Sequence, residues 1–509
     1  MVYEKIPEYF NVSHYLIVEC NLQQNRGNSI AIYYQDESYT YNDLEKKTNQ
    51  YANYLIEQGV VPGERIGLYM HDCPEFIFLF FGSIKAGIIP VLMNAKMNSQ
   101  EITKILESTG AVFVFTEDTL EKNIALPNKG NVIKDTKVIM EQLNKYSDTF
   151  KVASTKKDDA AFILFTSGSS GIPKGAVHRQ YDMVAGKETF GKCVLDQQPD
   201  DVFYSHSKMS FAYGLGGLYI PISNGASLVV NGDDSLYDIF DIIEKYHVTK
   251  FQAVPSVYQS LYMLFPKDKN PFVQCKMCVS GGEPLTKKLA KGWKEKTGLE
   301  IYQSYGSTEM LTSTISNFNK NVKHGSMGKV VTGFTATILN EAYEEVKPGE
   351  IGNLYMKGES FMEKYWNNDA MTQAVLTEYG LKTGDMCYYD EDGFIWFAGR
   401  NSDVFKVNGI WQSALPIEEI ITEDDNVQEV VVTSEVDNNM DSSIVAYLVA
   451  KDLSKCAESV KNIRTMFFKK RMRTLCPIKF CFVNKLPRGT TGKVKRGSVG
   501  ESEVLKVIE

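Results

Sequence analysis

The chain has 509 residues, of which 43% are hydrophobic and 23% are charged, values typical of a soluble globular protein and not of a disordered chain. A formal net charge of -8 lacks the basic surplus that nucleic-acid binding requires, and the longest apolar runs are too short to span a membrane. We therefore expect a cytoplasmic protein that acts on small molecules, with neither nucleic acid nor membrane as a partner.

The cysteines are odd in number and scattered, which predicts free thiols in a reducing compartment and no disulfide framework. Cys275 and Cys278 form a CxxC motif, which is a possible redox or metal pair. No second pair lies near them, and the apolar run MCV is adjacent. We predict that both are buried residues associated with a strand.

From about residue 60 to 310, short apolar runs alternate with amphipathic stretches, a pattern typical of parallel sheets with crossover helices. Predicted helices span residues 74–85, 236–246 and 286–297. The last has Thr286 as its N-cap and Gly298 as its stop. The fold class is therefore predicted to be α/β, because βα-layered subdomains make up most of a large N-terminal domain.

After about residue 325 the sequence pattern changes to short strands separated by glycines, which predicts hairpins of a β-rich subdomain. A last βα stretch follows, with a helix predicted over residues 462–475. The chain length also exceeds what one core usually organises. A small α+β C-terminal domain is therefore expected after the large one.

The strand run AFILF leads directly into TSGSSGIPKG, residues 166–175. Glycines in such a loop let successive N–H groups point inward, and its hydroxyls and Lys174 add donors, so the loop can wrap a polyphosphate. A Walker loop is excluded because Pro173 precedes the lysine and Gly175 follows it. A flexible Ser/Gly linker is the alternative, although a linker rarely follows a buried strand so directly.

This loop resembles the signature loop of the adenylate-forming superfamily, which comprises acyl-CoA synthetases, carrier-loading adenylation domains and beetle luciferases. Further motifs of the family follow in its order: SGGEPL at 280–285, YGSTE at 305–309, KTGD at 382–385 and PRGTTGKVKRG at 487–497. The resemblance spans roughly residues 30 to 500, and the ordered set is more diagnostic than any single motif.

The resemblance implies that the protein binds ATP with Mg²⁺. Thr308 would contact the α-phosphate, Glu309 would hold the metal, and Lys493 would enter the active site to stabilise negative charge during adenylation. These three are the predicted catalytic residues. The predicted ATP-binding residues are Thr166, Ser167, Gly168, Ser169, Ser170, Gly171, Lys174, Gly282, Glu283, Pro284, Ser304, Tyr305, Gly306, Ser307, Thr308, Asp385, Arg400 and Lys493.

Plainer interpretations of the same residues remain open. Taken alone, Glu309 is an ordinary surface carboxylate, Asp385 is a turn residue and Lys493 is a solvated lysine in a basic tail. The family spacing of Asp385 and Arg400 favours ribose binding instead.

The resemblance also implies that the C-terminal domain is mobile and turns about a hinge after adenylation. We predict domain boundaries at 1–400 and 401–509, with the hinge at Ser402, where relatives usually carry aspartate or lysine. Gly409 would line the tunnel for the pantetheine arm of coenzyme A, because a side chain there would obstruct the thiol.

The segment KMSFAYGLGG, residues 208–217, resembles the benzoate–CoA ligase branch, and its flat apolar wall suits an aromatic ring. Ala212 stands where amino-acid-activating relatives carry an aspartate, which disfavours an ammonium-bearing substrate. Thr312 stands where a histidine is expected in benzoate-type enzymes, so a substituted ring or another small acid stays open. Phe211 could also be a core aromatic. The predicted substrate-binding residues are Phe211, Ala212, Tyr213, Gly214, Gly281, Gly306, Met310 and Leu311.

The sequence thus predicts an ATP-dependent acid–CoA ligase that forms an acyl-AMP and then an acyl-CoA thioester from a small aromatic acid. ATP, Mg²⁺ and coenzyme A are the expected cofactors and co-substrates. One alternative is a stand-alone adenylation enzyme that loads a carrier protein. A second is a catalytically silent nucleotide-binding relative, which the joint presence of Lys174, Glu309, Asp385, Arg400 and Lys493 disfavours. A homodimer also stays open.

Overall fold

The structure is a computed structural model that describes residues 6–124, 132–166, 173–232, 235–319, 321–400, 404–407, 410–436, 442–488, 494 and 496–509. The chain divides into two compact units, one of residues 1–335 and 357–378 and the other of residues 336–356 and 379–509. The predicted α/β fold class is confirmed, whereas a domain boundary at residue 400 stays a prediction. Within the described ranges, no helix is long and apolar enough to cross a membrane.

The first unit contains a seven-stranded sheet, which is parallel except for a hairpin and a short strand at one edge. The strand Ile89–Met93 is buried along its whole length, as expected when helices cover both faces of a parallel sheet. In spatial order its strands are Lys364–Tyr365, Lys174–Arg179, Ala160–Thr166, Ile89–Met93, Arg65–Tyr69, Phe113–Thr116 and Val132–Asp135.

A nine-stranded sheet forms the second layer of the same unit, with six parallel strands in its centre and antiparallel strands at both edges. Its strands are, in order, Lys329–Val330, Ser313–Ser316, Ile301–Gly306, Met277–Ser280, Lys250–Ala253, Val202–Ser205, Ser227–Val230, Ile30–Tyr34 and Glu37–Thr40.

Helices connect these strands, and local signals fix several of their ends. The helix Pro74–Lys85 has the predicted bounds, with proline in its first turn. In the helix Lys287–Thr297, the Thr286 side chain accepts the Leu289 N–H, and Gly298 ends the helix at a φ of +79°. The other α-helices of the unit are Val12–His14, Tyr41–Glu57, Ser99–Thr109, Asp118–Glu121, Thr136–Gln142, Asp182–Gly186, Ala212–Ser223, Ile239–Lys245, Pro255–Leu264 and Asp369–Val375; π-helices span Tyr15–Glu19 and Lys187–Leu195.

The second unit contains mostly antiparallel strand pairs, as its glycine-rich sequence predicted, together with a parallel pair of Ser442–Ala450 and Lys479–Val483. The strand Gly380–Tyr389 pairs with both Gly352–Lys357 and Ile395–Arg400. The remaining strands are Thr335–Leu339, the hairpin Val404–Val407 and Ile410–Ser413, and a sheet of Val427–Val436, Ser442–Ala450, Lys479–Val483 and Val504–Ile508. The helices Leu415–Ile421 and Cys456–Lys469 contribute to one apolar core with that sheet.

Two predicted helix ranges were wrong at their ends. The helix predicted over 236–246 is Ile239–Lys245. The helix predicted over 462–475 begins earlier, at Cys456, because Val460, Ile463 and Phe467 supply a buried face. It ends at Lys469, and Arg471 then adopts a φ of +58°, which an α-helix does not accommodate.

All nine cysteines are free, in agreement with the predicted absence of a disulfide framework. Cys275 and Cys278 are 5% and 0% exposed. Only Cys278 lies within the strand Met277–Ser280, and burial raises the pKa of its thiol well above the usual value. The CxxC motif is therefore part of the core.

A buried ion pair joins Lys250, in one strand of the nine-stranded sheet, to Asp201, which directly precedes the neighbouring strand Val202–Ser205. Lys250 Nζ lies 2.6 Å from Asp201 Oδ2, and the side chains are 5% and 1% exposed. Burial alone would raise the pKa of Asp201, but the hydrogen bonds from Lys250 and Gln198 and the charge of Lys250 lower it. Since the folded pKa lies below the unfolded one, the stabilisation is present above about pH 4 and is lost as the pH falls through the folded value.

Replacing Asp201 with alanine should lower the free energy of unfolding of this protein by about 3–5 kcal/mol, because Lys250 would remain as a buried charge without a counterion. Thermal and urea denaturation at pH 7 measure this loss. Asp36→Ala is the matched control, because Asp36 pairs with Lys245 at 2.8 Å on the surface and should matter little. Equal small effects of both substitutions would contradict the expected role of the buried pair.

Candidate active site

The predicted phosphate loop joins two adjacent antiparallel strands. Thr166 ends the strand Ala160–Thr166 and is paired with Lys174, the first residue of Lys174–Arg179. A strand, not a helix, follows the loop, in agreement with the exclusion of a Walker loop. The predicted residues Ser167, Gly168, Ser169, Ser170 and Gly171 lie outside the described residues.

The predicted metal ligand Glu309 lies in a 3₁₀ turn, Thr308–Met310, directly beyond the strand Ile301–Gly306. Each carbonyl of this turn accepts a hydrogen bond from another part of the chain. His178 Nε2 donates to Thr308 O at 2.9 Å, Met362 N to Glu309 O at 2.7 Å, and Ser360 Oγ to Met310 O at 2.7 Å. These three hydrogen bonds therefore hold the turn in place from residues outside it.

Two of these donors belong to residues 359–366, which we name the strap. The strap also runs along the strand Lys174–Arg179: Trp366 N donates to Gly175 O at 2.7 Å, and Glu363 N to Val177 O at 2.9 Å. Arg179 Nη2 donates back to Phe361 O at 2.8 Å. The strap therefore joins the strand that carries Lys174 to the turn that carries Glu309.

Tyr365 of the strap contacts both of these charged residues. Its hydroxyl donates to Glu309 Oε1 at 2.6 Å, and Lys174 Nζ lies 5.7 Å from the centre of its ring. Burial raises the pKa of Tyr365, and the neighbouring Glu309 carboxylate raises it further. The phenol therefore stays a hydrogen-bond donor at neutral pH.

His178 connects the same turn to a buried carboxylate. Its Nδ1 lies 3.2 Å from Asp182 Oδ2, and its ring stacks on Phe162 at 5.2 Å. Asp182 also accepts hydrogen bonds from the N–H and Nε of Arg179. Because both groups of the pair are fully buried, the orientation of the imidazole is fixed.

The SGGEPL turn at 280–285 lies beside the strand Ile301–Gly306. Gly282 has a φ of +82°, which favours glycine. Ser304 Oγ donates to Ser280 O at 3.1 Å, and Gln303 Nε2 donates to Glu283 O at 3.1 Å. A Cβ on Gly281 would lie 3.0 Å from the Tyr213 ring, so glycine allows the two segments to approach closely.

A cavity of about 460 Å³ opens among these elements, a size suited to a small organic ligand. Gly214 and Met310 are not among the described residues that line it: a Cβ on Gly214 would lie 2.0 Å from Lys208 O, and Met310 is fully buried. The predicted site residues that do line it are Phe211, Ala212, Tyr213, Gly281, Gly282, Ser304, Gly306, Ser307, Thr308 and Leu311.

Phe211 is 46% exposed and borders this cavity, so the interpretation of Phe211 as a core aromatic was wrong. A larger groove, of about 810 Å³, lies beside His14 and Glu188 and is lined by none of the predicted site residues. The 460 Å³ cavity is therefore the candidate acid site.

In the second unit, Asp385 and Arg400 face each other on paired strands. Arg400 Nε lies 3.5 Å from Asp385 Oδ1, and the arginine side chain is 70% exposed. Asp385 lies in the strand Gly380–Tyr389, so its interpretation as a turn residue was wrong. The predicted residues Lys493, Ser402 and Gly409 lie outside the described residues.

Sequence reasoning missed His178 and Tyr365. Each is distant in sequence from the residue that it holds, by 130 and 56 positions respectively. His178 follows the Pro-Lys-Gly of the loop, and Tyr365 precedes a tryptophan, but neither pattern names its partner. Cavity residues that were also missed are Lys96, Phe190, His206, Ser207, Ile220, Gln252, Val254, Val257 and Ser313, whereas Thr312 and the segment 208–217, which contains Lys208 and Gly216, had been identified.

Comparisons with known proteins identify the family of this chain. The family model described as AMP-binding enzyme matches residues 19–366. The benzoate–CoA ligase of Thauera aromatica is 30% identical over 97% of this chain and 96% of its own length.

Two solved structures are similar over nearly the whole chain. The anthranilate CoA ligase AuaEII in complex with anthranoyl-AMP has a TM-score of 0.86 at 28% identity, covering 98% of each chain. A benzoate CoA ligase from Burkholderia xenovorans LB400 has a TM-score of 0.84 at 29% identity, covering 96% of this chain and 99% of its own. The predicted resemblance to the benzoate–CoA ligase branch is thus confirmed, and the chain belongs to the AMP-binding enzyme family.

Proposed function

We propose that this protein is an ATP-dependent acid–CoA ligase that activates a small aromatic carboxylic acid as an acyl-AMP and transfers the acyl group to coenzyme A. The observation that carries the proposal is the strap, which joins the Lys174 strand and the Glu309 turn beside a cavity of small-ligand size. Relatives similar over the whole chain are named as aryl acid–CoA ligases, and one was solved with an acyl-adenylate.

In the proposed arrangement, residues 166–174 bind the triphosphate, Asp385 and Arg400 bind the ribose, and Gly282, Glu283, Pro284, Ser304 and Tyr305 border the adenine. Glu309 is suited to hold Mg²⁺, which usually takes one or two protein carboxylates and completes its shell with phosphate oxygens and water. When bound, Mg²⁺ neutralises charge on the triphosphate. Tyr365 keeps the Glu309 carboxylate oriented.

The proposed first step is attack of a carboxylate oxygen on the α-phosphorus, with Thr308 at the α-phosphate. The bond to the β-phosphate breaks, pyrophosphate leaves, and Lys493 stabilises the negative charge shared by the two reacting groups. In the second step the CoA thiolate attacks the acyl carbon and AMP leaves with the bonding pair. Turning of the C-terminal residues about Ser402 would exchange Lys493 for the Gly409 region between the steps.

Free coenzyme A is the proposed acceptor, and a carrier-protein thiol is the alternative. Nine free thiols suit a cytoplasmic location.

A steady-state assay with a panel of aryl, fatty and short-chain acids tests the function. AMP release that requires an aryl acid and CoA supports it. Turnover with a carrier protein alone would identify a loading enzyme, and absence of ATP–pyrophosphate exchange with every acid would identify a silent nucleotide binder.

Lys493→Ala should lower the rate of acyl-AMP formation by about 10²–10³, because it removes the charge that stabilises the first transition state. Conversion of supplied acyl-AMP and CoA to the thioester should remain close to normal, since Lys493 serves only the first step. Stopped-flow pyrophosphate release and thioester formation measure the two steps. Lys485→Ala is the control, because Lys485 is an exposed lysine of the same unit. Equal loss of both rates would contradict the proposal that Lys493 serves the first step and is exchanged for the Gly409 region before the second.

Glu309→Gln should raise the Mg²⁺ concentration needed for half-maximal turnover at least tenfold, because an amide oxygen binds this hard cation more weakly than a carboxylate does. A Mg²⁺ titration at saturating ATP measures the shift. The surface variant Glu295→Gln serves as control. An unchanged titration curve for Glu309→Gln would remove Glu309 from the metal site.

Tyr365→Phe should lower kcat/KM for MgATP about tenfold, because the Glu309 carboxylate loses a charge-assisted hydrogen bond. The ring beneath Lys174 is retained, so the change isolates the hydroxyl. Tyr343→Phe is the matched control, because Tyr343 is 54% exposed and stacks on Tyr379. Kinetics indistinguishable between the two variants would show that the hydroxyl does not orient Glu309.

A further inference from the structure

We propose that Met371 is an oxidation site, and that a peroxide, by converting its thioether to a sulfoxide, weakens the binding of MgATP through Lys174. This inference rests on the proposed function, because it takes Lys174 as a ligand of the triphosphate. The observation behind it is a contact between the ammonium of Lys174 and the sulfur of Met371, a side chain that belongs to no motif of the sequence.

The two side chains lie in the same compact unit, and Lys174 closes the proposed phosphate loop. Lys174 Nζ donates to Met371 Sδ at 3.7 Å, and neither side chain is fully buried. Among the described residues, this sulfur is the one hydrogen-bond acceptor of the ammonium, and the ring of Tyr365 lies 5.7 Å away. Because a thioether is a weak acceptor, the lysine can exchange this contact for a phosphate oxygen at little cost.

Met371 is held in this position by the helix Asp369–Val375, which begins shortly after the strap. The Asn368 side chain caps the helix by accepting the Met371 N–H at 3.1 Å. The Thr372 hydroxyl joins the helix to the strap, because it accepts the Tyr365 N–H at 2.9 Å and donates to Asn368 O at 2.9 Å. The backbone at Met371 is therefore fixed relative to the strap and to the strand that the strap follows.

Oxidation changes the sulfur from a weak acceptor into a carrier of a strong one. Hydrogen peroxide transfers one oxygen atom to the thioether, and its other oxygen leaves as water; the sulfur loses two electrons, and the broken O–O bond takes them up. The new oxygen bears negative charge from the polar S–O bond. Since Met371 Sδ is 3.7 Å from Nζ, this oxygen can reach the ammonium at about 2.7–2.9 Å, the distance of a charge-assisted hydrogen bond.

The sulfoxide therefore competes with the triphosphate for the same ammonium. In the oxidised protein, Lys174 gives up a strong hydrogen bond before it binds a phosphate oxygen, so the Kd of MgATP rises. One hydrogen bond to a charged group corresponds to about tenfold in affinity. Because methionine sulfoxide reductases restore the thioether, the loss of affinity is reversible.

The test measures the Kd of MgATP by isothermal titration calorimetry before and after treatment with hydrogen peroxide, followed by dithiothreitol to reduce cysteine sulfenic acids and disulfides. Tryptic cleavage after Lys364 and Lys382 gives a peptide whose single methionine is Met371, and fragment spectra separate its oxidation from that of Trp366. We expect the Kd to rise about tenfold when Met371 is fully oxidised. Methionine sulfoxide reductases should then restore the original Kd.

Three variants assign the effect to this sulfur. Met371→Leu removes the sulfur, so its Kd should be the same before and after peroxide. Met371→Gln places an amide oxygen near Lys174 and should raise the Kd without peroxide. Met263→Leu is the matched control, because Met263 is 75% exposed on the helix Pro255–Leu264, and this variant should lose affinity on oxidation as the wild type does.

An unchanged Kd with Met371 fully oxidised would overturn the inference and leave the proposed function intact. An equal loss of affinity in peroxide-treated Met371→Leu would do the same, because it would assign the effect to another residue. A Met371 that stays unoxidised while Met263 is oxidised would also refute the oxidation site. Absence of MgATP binding in the untreated protein would refute the proposed function, and the inference with it. Should Met371→Leu fail to fold, the wild-type reversal and Met371→Gln still decide.

Discussion

Three consecutive backbone carbonyls, those of Thr308, Glu309 and Met310, are hydrogen-bonded from outside their own turn. The turn needs this support, because it leads into Leu311, a non-glycine residue with a φ of +64°. Backbone in this region costs free energy and persists only where the surroundings fix it. His178 and the strap provide that restraint, and the candidate site depends on it.

The consequence is a coupling between two motifs far apart in the sequence. The strap hydrogen-bonds to the strand that begins with Lys174, while Tyr365 contacts both that lysine and Glu309. A shift of the strand would therefore disturb the carboxylate, and the reverse also holds. Charged groups held in place before the substrate binds stabilise developing charge without reorganising during the reaction. The strap thus explains how a turn of three residues can hold Glu309, the proposed metal ligand, in a fixed position.

Much of the fold could be predicted because its signals are local. Proline at the start of Pro74–Lys85, and Thr286 and Gly298 around Lys287–Thr297, fix the helix ends with adjacent residues. The motif residues that line the cavity were found by family resemblance. The hydrogen bonds that hold these motif residues in place were not predicted from the sequence. The partners of His178 and Tyr365 lie far along the chain, and only the packing of strands brings them together. Asp385 shows that a local signal can also mislead: an aspartate taken alone suggested a turn, whereas strand pairing with Arg400 decides its conformation.

The central claim is that Lys174 and Glu309 act on one nucleotide because the strap holds them together. A crystal structure of the protein with MgATP tests it most directly. We expect a Glu309 oxygen about 2.0–2.1 Å from Mg²⁺, Lys174 on the triphosphate, and the Tyr365 hydroxyl still bound to the carboxylate. A triphosphate bound away from residues 166–174, or a metal ion that Glu309 does not contact, would contradict it.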